Sequence, residues 1–297
     1  MKRFIKLNLV WLGIYLSYKL LIGGIVLMGK KEPLHSDLGL EGKNKDILIG
    51  SSNVYINYDF LLLNKLNHRP IRSCWMPSTY GLGLNLYKLE KIANKGDRLI
   101  FEFPYHWFLY DAMAPHNASF YSKADLPFYG FLLSNFPLEF LGHWVSFSAF
   151  HSEWRDYLLF PSKNNNQNSK NNQLSFEILV DSSYYRCDLS NYQKIKHNIQ
   201  TNTFQNFQLK KIRKHLNSLS NSRNVSVYYN FPAMEKGNYS VNPQLIQAIG
   251  QSFLIITPFK ESIWEEKYQF DKRYHLNHCG AILNSQRLAQ KLNRLKN

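Results

Sequence analysis

The sequence predicts an α/β protein with a five-stranded parallel sheet between two layers of helices. Up to Pro104 the chain alternates short apolar runs with segments of helical spacing, a pattern typical of parallel sheets with right-handed crossovers. Two further apolar runs appear at 224–230 and 253–257. With 297 residues, the chain is long enough for one sizeable domain and an appendage.

The first half of the chain supplies three of these strands and the helices between them. The apolar run 47–49 predicts the first strand, and a Gly-Ser-Ser-Asn turn follows it. Two more strands are predicted at 71–75 and 98–103. Helices are predicted at 58–66 and 84–93, where apolar residues recur at helical spacing.

The second half adds three helices to the last two strands. Apolar residues near helical spacing predict a helix at 204–219. Asn242 and Pro243 are suited to the N-cap and first position of a helix that continues to Gly250. The final helix is predicted from one apolar stripe, formed by Leu288, Leu292 and Leu295.

Residues 1–30 predict an N-terminal membrane anchor. The chain starts with basic residues and continues with a largely apolar run at 7–28, and roughly 20 apolar residues span a bilayer. Because no small-x-small cleavage site follows, we expect an uncleaved, single-pass anchor with the rest of the chain outside the cell or in the periplasm. A buried or interfacial helix is the alternative, because Lys19 interrupts the run.

The remainder divides into a linker, the α/β domain and an insertion. Residues 31–44 are polar and predict a short linker, and 45–297 form the domain. The insertion, at about 105–223, separates the third and fourth strands. Its aromatic first part, 105–154, is expected to be irregular and partly helical. It would cover a cleft, or its exposed apolar surface would rest on the membrane or on a partner. Most of its rings are expected to pack in the core. Residues 161–173 are of low complexity and predict a surface loop.

The chain is strongly basic, with a formal net charge of +15 and an isoelectric point near 9.6. Such a charge suits nucleic acid, anionic lipid or an acidic glycan, and it also fits a composition rich in Asn, Lys, Ile and Tyr. The sequence contains no helix-turn-helix, zinc-finger or RNA-binding aromatic signature. Nucleic acid is therefore not a predicted partner.

Cysteine and histidine spacing predicts neither a metal site nor a cofactor. The three cysteines, Cys74, Cys187 and Cys279, form an odd set and permit at most one internal disulfide. Cys279 is close in sequence to His275 and His278, but no second ligand pair follows at a zinc-like spacing.

Candidate catalytic residues lie near the two ends of the predicted domain. Ser52 follows the first strand, and ligands of open α/β sheets bind at the carboxyl ends of strands. Asp271 and His275 precede the last helix, and a serine early with an acid and histidine late is one known order of a hydrolytic triad. Alternatively, Ser52 and Asp271 cap helices and His275 packs in the core. Glu102 and His106 are interpreted as structural.

Four blocks of the sequence resemble the SGNH/GDSL hydrolase superfamily, and more closely its membrane-anchored, cell-envelope branch in bacteria. The blocks are Ile47-Leu-Ile-Gly50-Ser51-Ser52-Asn53, Gly81-Leu-Gly83-Leu, Lys95-Gly96-Asp97 and Asp271-x-x-Tyr274-His275-Leu276-Asn277-x-x-Gly280-Ala281. The resemblance covers roughly residues 45–103 and 224–297 and does not reach the insertion.

The resemblance implies a flavodoxin-like SGNH fold and a role for each matching residue. Ser52 matches the nucleophile, His275 the base that takes its proton, and Asp271 the acid that orients the histidine. The backbone amides of Ser52 and of Gly81 or Gly83 would form the oxyanion hole.

The sequence departs from the family pattern in three places. The usual Gly-Asp-Ser is Gly-Ser51-Ser52, which leaves two candidate nucleophiles, and Asp271 stands four residues before His275 rather than three. The family's oxyanion-hole Asn after the third strand has no counterpart, and losing one such donor typically costs about 10²–10³ in rate.

The function implied by the resemblance is that of an envelope-anchored serine esterase or O-acyltransferase. Its partners would be the membrane, an acylated cell-surface polysaccharide carrying, for example, O-acetyl groups, and envelope polysaccharide machinery. The alternatives are a catalytically inactive SGNH-like protein that binds glycan or scaffolds export, and a lipid-directed esterase.

Overall fold

The computed structural model describes five main segments of the chain. These are residues 44–75, 81–108, 206–236, 241–270 and 275–295, together with residues 6, 8–15, 17 and 134. Most of the predicted anchor, the predicted linker and nearly all of the aromatic insertion lie outside the described residues. Within the described residues, no helix has the length and apolar character needed to cross a bilayer.

Five parallel strands form the central sheet, which confirms the predicted α/β class. The strands of the central sheet are β1 (Asp46–Gly50), β2 (Ile71–Trp75), β3 (Arg98–Glu102), β4 (Ser226–Tyr229) and β6 (Leu254–Ile255). They are arranged in the order β2-β1-β3-β4-β6, and every neighbouring pair is parallel. Two short strands, β5 (Met234–Glu235) and β7 (Ile263–Trp264), pair separately.

Helices cover both faces of this sheet. The α-helices are α1 (Ser52–Ile56), α2 (Phe60–Leu66), α3 (Gly81–Ile92), α4 (Asn206–Arg223), α5 (Pro243–Ser252) and α6 (His278–Arg294). Short 3₁₀ helices lie at Tyr105–Phe108, Phe259–Ser262 and Glu266–Tyr268. Side chains alternate across β1, so that Ile47 and Ile49 pack with α3, α4 and α5, whereas Leu48 packs with α1, α2 and α6.

Polar caps set several helix boundaries, and two of them differ from the prediction. The helix predicted at 58–66 begins at Phe60, because Asp59 Oδ1 accepts a hydrogen bond from the Leu62 N–H. The last helix begins at His278, where Asn277 Oδ1 accepts from the Gly280 N–H at 2.9 Å. The alternative in which Asp271 caps this helix is therefore wrong.

In the second half, the predicted start of α5 and the predicted stripe of α6 agree with the structure, whereas the helix predicted at 204–219 is Asn206–Arg223. Asn242 caps α5 and Pro243 is its first residue. In α6, Leu288 and Leu292 are buried against the sheet and Leu295 packs at the edge of the same cluster.

A buried polar cluster joins the amino ends of β1 and β3. Arg98 donates two hydrogen bonds to the carboxylate of Asp46, both at 2.7 Å. Lys45 Nζ lies 2.8 Å from Asp97 Oδ2, and all four side chains are buried. We call Lys45, Asp46, Asp97 and Arg98 the amino-end cluster.

The order of the strands predicts a crevice at the opposite end of the same two strands. The chain passes from β1 outward to β2, then returns to β3 on the other side of β1 and continues to β4. In such sheets ligands bind at the carboxyl ends of the strands where the order reverses. That position lies between β1 and β3.

Candidate active site

Ser52 and His275 form a hydrogen bond at the carboxyl edge of the sheet. Ser52 Oγ lies 3.0 Å from His275 Nε2, although the two residues are 223 positions apart in sequence. Both side chains are half-buried. This distance is within the range required for a histidine to take a proton from a hydroxyl.

The turn after β1 has room only for glycine at its first position. A Cβ on Gly50 would lie 2.6 Å from the Glu102 carbonyl oxygen and 2.5 Å from Val54 Cγ2. The close approach brings the start of α1 onto the end of β3. Ser52, the first residue of α1, is thereby held at the carboxyl edge of the sheet.

The structure distinguishes between the two serines of this turn. Ser51 is buried, and its Oγ donates to Asn53 Oδ1 at 2.7 Å. Ser51 occupies the N-cap position of α1 without a side-chain cap bond, so the alternative of Ser52 as a cap is wrong. Ser52 is the serine whose hydroxyl contacts a base.

His275 is held in place by α1 itself. The Leu276 N–H donates to Asn57 Oδ1 at 2.7 Å, and Asn57 is the residue that ends α1. The Phe270 N–H donates to the His275 carbonyl oxygen at 2.9 Å. One short element therefore carries Ser52 at its start and fixes the backbone next to His275 at its end.

Beneath this pair lies a buried polar network centred on Glu102, the last residue of β3. Asn53 Nδ2 donates to Glu102 Oε1 at 3.0 Å, and Asn230 Nδ2 donates to Glu102 Oε2 at 2.6 Å. Tyr58 Oη donates to the same oxygen, Oε2. All four side chains are buried. We call these residues the Glu102 network.

Burial controls the ionisation of this network. Burial raises the pKa of Glu102 to about 7, and the hydrogen bonds from Tyr58, Asn230 and Asn53 oppose that rise. Burial and the neighbouring charge of Glu102 raise the pKa of Tyr58 well above its ordinary value. Tyr58 therefore remains a hydrogen-bond donor while Glu102 titrates near neutral pH.

The remaining predicted site residues are described only in part. Asp271 lies outside the described residues, as do residues 76–80. Gly81 and Gly83 fall in the first turn of α3, where backbone N–H groups lack intrahelical partners. The acid and the oxyanion hole therefore remain predictions.

Two aromatic residues lie beside the turn that carries Ser52. Ser52 and Tyr55 are the residues of α1 that are not buried, and their spacing of three places them on one side of the helix. The Tyr55 ring lies 5.1 Å from the ring of Trp75, measured between centroids. Trp75 ends β2 and is paired in register with Gly50.

Sequence reasoning did not assign a site role to Asn53, Asn57, Glu102 or Asn230. A signal for three of them was present: Asn53 follows β1, Glu102 ends β3 and Asn230 follows β4. Adjacent parallel strands bring their carboxyl ends to one edge, so polar residues at those ends are expected to meet. Asn57 carries no such signal.

Comparison of the chain with family models, curated proteins and solved structures found no match.

Proposed function

We propose that the protein is a serine esterase or O-acyltransferase of SGNH type. The single observation that carries the proposal is the 3.0 Å hydrogen bond between Ser52 Oγ and His275 Nε2 at the carboxyl edge of the sheet. A serine hydroxyl is a weak nucleophile until an adjacent base takes its proton. The sheet order supports the same location, because ligands of such folds bind there.

The proposed reaction passes through an ester on Ser52. Ser52 Oγ attacks the acyl carbon while its proton passes to His275 Nε2. The bond between the acyl carbon and the alcohol oxygen then breaks, and His275 returns the proton to the leaving alcohol. Water or an acceptor hydroxyl attacks the new ester with His275 as base, and Ser52 is released with its proton.

Other chain groups would stabilise the intermediates of this reaction. In the proposal, the backbone amides of Ser52 and of Gly81 or Gly83 bind the negative oxygen of each tetrahedral intermediate. Asp271, which matches the acid of the SGNH pattern, orients the histidine ring. No cofactor enters these steps.

We propose an acylated cell-surface polysaccharide as the substrate. Support comes from Tyr55, which is 39% exposed on the same side of α1 as Ser52 and contacts Trp75. Aromatic rings present a large apolar face with polar edges, which suits the ring of a sugar. Hydrolysis and transfer to an acceptor share the ester on Ser52, so both belong to the proposal.

We further propose that the protein is a single-pass bacterial membrane protein with the α/β domain outside or in the periplasm. The apolar side chains of Leu9, Trp11 and Ile14 are more than half exposed, as expected of residues that face lipid. Cys279 is disulfide-bonded, and disulfides persist in oxidising compartments outside the cytoplasm. In this proposal, envelope polysaccharide machinery is a partner of the protein.

Labelling with a fluorophosphonate probe tests the proposal. We expect wild-type protein to be labelled on Ser52, and the Ser52→Ala and His275→Ala variants to lose labelling by about 10³-fold or more. Ser222→Ala, on α4 and away from the crevice, serves as the matched serine control. Absence of labelling in folded wild-type protein, or equal labelling of Ser52→Ala, would overturn the proposal.

A second candidate is a catalytically inactive protein that binds glycan or scaffolds export. The chain after β3 favours it, because Phe103 and Tyr105 are buried there and the family's Asn donor is missing. Glycan binding or export that survives unchanged in a Ser52→Ala/His275→Ala double variant would support this candidate over the enzyme.

A further inference from the structure

Glu102 is a buried acid without a cationic partner among the described residues. Its side chain is fully buried, and the ion pairs of the described part of the chain do not include it. Its partners are two amides and a phenol. Burying a carboxylate costs several kcal/mol unless its oxygens are satisfied, and neutral donors offset only part of that cost.

The geometry of the donors fits the ionised form of Glu102. Asn53 Nδ2, Asn230 Nδ2 and Tyr58 Oη all carry hydrogens, and a carboxylate only accepts. Asn230 Nδ2 also donates to Tyr58 Oη at 2.9 Å, which leaves the tyrosine hydrogen for Glu102. A protonated Glu102 would add one donor hydrogen to a site that already contains three donors.

Asn53 connects Glu102 to the turn that carries Ser52. Asn53 Oδ1 accepts from the Ser51 N–H at 3.1 Å and from Ser51 Oγ at 2.7 Å. Its Nδ2 donates to the backbone carbonyl as well as to the side chain of Glu102, both at 3.0 Å. The residues on either side of Ser52 are thus joined through one amide to one carboxylate.

We propose that Glu102 is a positioning residue for Ser52: its carboxylate, acting through Asn53, holds the Ser51–Asn53 turn so that Ser52 Oγ meets His275. This inference rests on the proposed function for its role in a reaction. It adds a second ionisation to that reaction, because Glu102 must be ionised and the His275 ring must be neutral.

Few titratable groups contact Glu102. Of the side chains that contact Glu102 within the described residues, Tyr58 is the titratable one. Asn53 of α1 and Asn230 after β4 are amides, as is Asn284 of α6, which bonds to Tyr58. The hydrogen bond from Tyr58 favours the ionised form, so its loss will move the ionisation of Glu102 to higher pH.

The test is the pH profile of fluorophosphonate labelling for wild-type protein and three variants. In labelling, Ser52 Oγ bonds to phosphorus, fluoride leaves, and the serine proton departs through His275. On the acid side the logarithm of the wild-type rate should rise with a slope approaching about two, and that of Glu102→Gln with a slope of about one. At high pH we expect Glu102→Gln to label about 10–100-fold more slowly.

Two further variants separate positioning from general damage. Tyr58→Phe keeps the carboxylate and should move the acid limb to higher pH, which loss of packing alone would not do. Glu90→Gln, on the far helix α3, removes another acid whose pKa burial raises, and it should leave the profile unchanged. Equal acid slopes in wild type and Glu102→Gln would overturn the inference.

A measurement without a reaction distinguishes this inference from the proposed function. The free energy of unfolding in urea, followed from about pH 5 to pH 8, will show a Glu102-dependent slope that Asn53→Ala extends to higher pH. If labelling fails but this shift appears, the enzyme proposal falls and the link between Glu102 and the turn stands. If Asn53→Ala leaves the slope unchanged, or if Asn53→Ala labels as fast as wild type, the link is wrong.

Discussion

Buried acids lie at both ends of the paired strands β1 and β3, and the acids at the two ends have different partners. At the amino end, Asp46 accepts two bonds from Arg98, and Asp97 accepts from Lys45. At the carboxyl end, Glu102 accepts only from neutral groups within the described residues. The two strands pair in register from Asp46 and Arg98 to Gly50 and Glu102. The two ends therefore differ in the side chains around the acids and not in the backbone pairing.

The comparison distinguishes the acids of the amino-end cluster, which stabilise the fold, from Glu102, which we propose positions Ser52. A carboxylate with a buried cation has its charge compensated within the fold, so the pair links the two strands. A carboxylate held by amides and a phenol changes its charge near neutral pH. Buried groups whose ionisation is perturbed in this way are more often found in functional sites.

The largest expected effect comes from breaking the amino-end cluster. Arg98→Met removes the nearer of two cations from Asp46 and leaves a buried charge compensated only by Arg69 at 3.5 Å, which should lower the free energy of unfolding by about 3–5 kcal/mol. Urea unfolding at neutral pH measures this. Lys291→Met, which breaks a partly exposed pair with Glu261, should cost no more than about 1 kcal/mol. A similar loss in both variants would remove the distinction.

At the carboxyl end the effect should depend on pH. The folded-state pKa of Glu102 is above its unfolded value, so its contribution is fully present below about pH 4.5 and is lost as pH rises through about 7. At 1.36 kcal/mol per pKa unit, the loss amounts to about 3 kcal/mol. Glu102→Gln should abolish this slope, and an unchanged slope in unfolding measured at pH 5 and 8 would refute the assignment.

His215, on α4, should make the free energy of unfolding depend on pH with the opposite sign. Burial lowers the pKa of His215 to about 4, and burial decides this because Glu90, 3.6 Å away, is partly exposed. The folded state therefore loses about 2 kcal/mol as pH falls from 6.5 through 4, allowing for partial exposure. His215→Gln should flatten the acid side of the wild-type stability curve, while Glu102→Gln should not.

The smallest effect compares two helix caps of the same type. Asn277 caps α6 beside His275, and Asn242 caps α5 away from it. Each change to alanine should cost about 1 kcal/mol of stability. Only Asn277→Ala should also slow labelling of folded protein, because it removes the side-chain Nδ2 that donates to the Lys267 carbonyl oxygen at 2.7 Å and helps to hold the segment next to His275. Equal labelling rates would place Asn277 outside the site.

Periodicity and turn chemistry predicted what depends on local sequence. The five strands, the start of α5 at Pro243 and the apolar stripe of α6 follow from such patterns. The meeting of Ser52 with His275 was expected from the position of Ser52 after the first strand and from the family resemblance. The structure brings the two side chains to 3.0 Å, and Asn57 at the end of α1 holds the backbone next to His275.

The Glu102 network could not be predicted in the same way. Its bonds depend on which strand lies beside β1, and sequence spacing does not give the order of strands. Asn57 is a further case, since its bond to the Leu276 N–H joins two segments with no common pattern. Polar residues at strand ends are informative only after the neighbours are known.

The 223 residues between Ser52 and His275 have a consequence for the newly made chain. A ribosome that has completed the first three strands has already released Ser52, whereas His275 emerges only after the other strands of the sheet have been made. Contacts between such distant positions form late in folding. In a chain truncated before His275, the turn would exist without its hydrogen-bond partner, so under the proposed function Ser52 would become reactive only after the segment that carries His275 has been made.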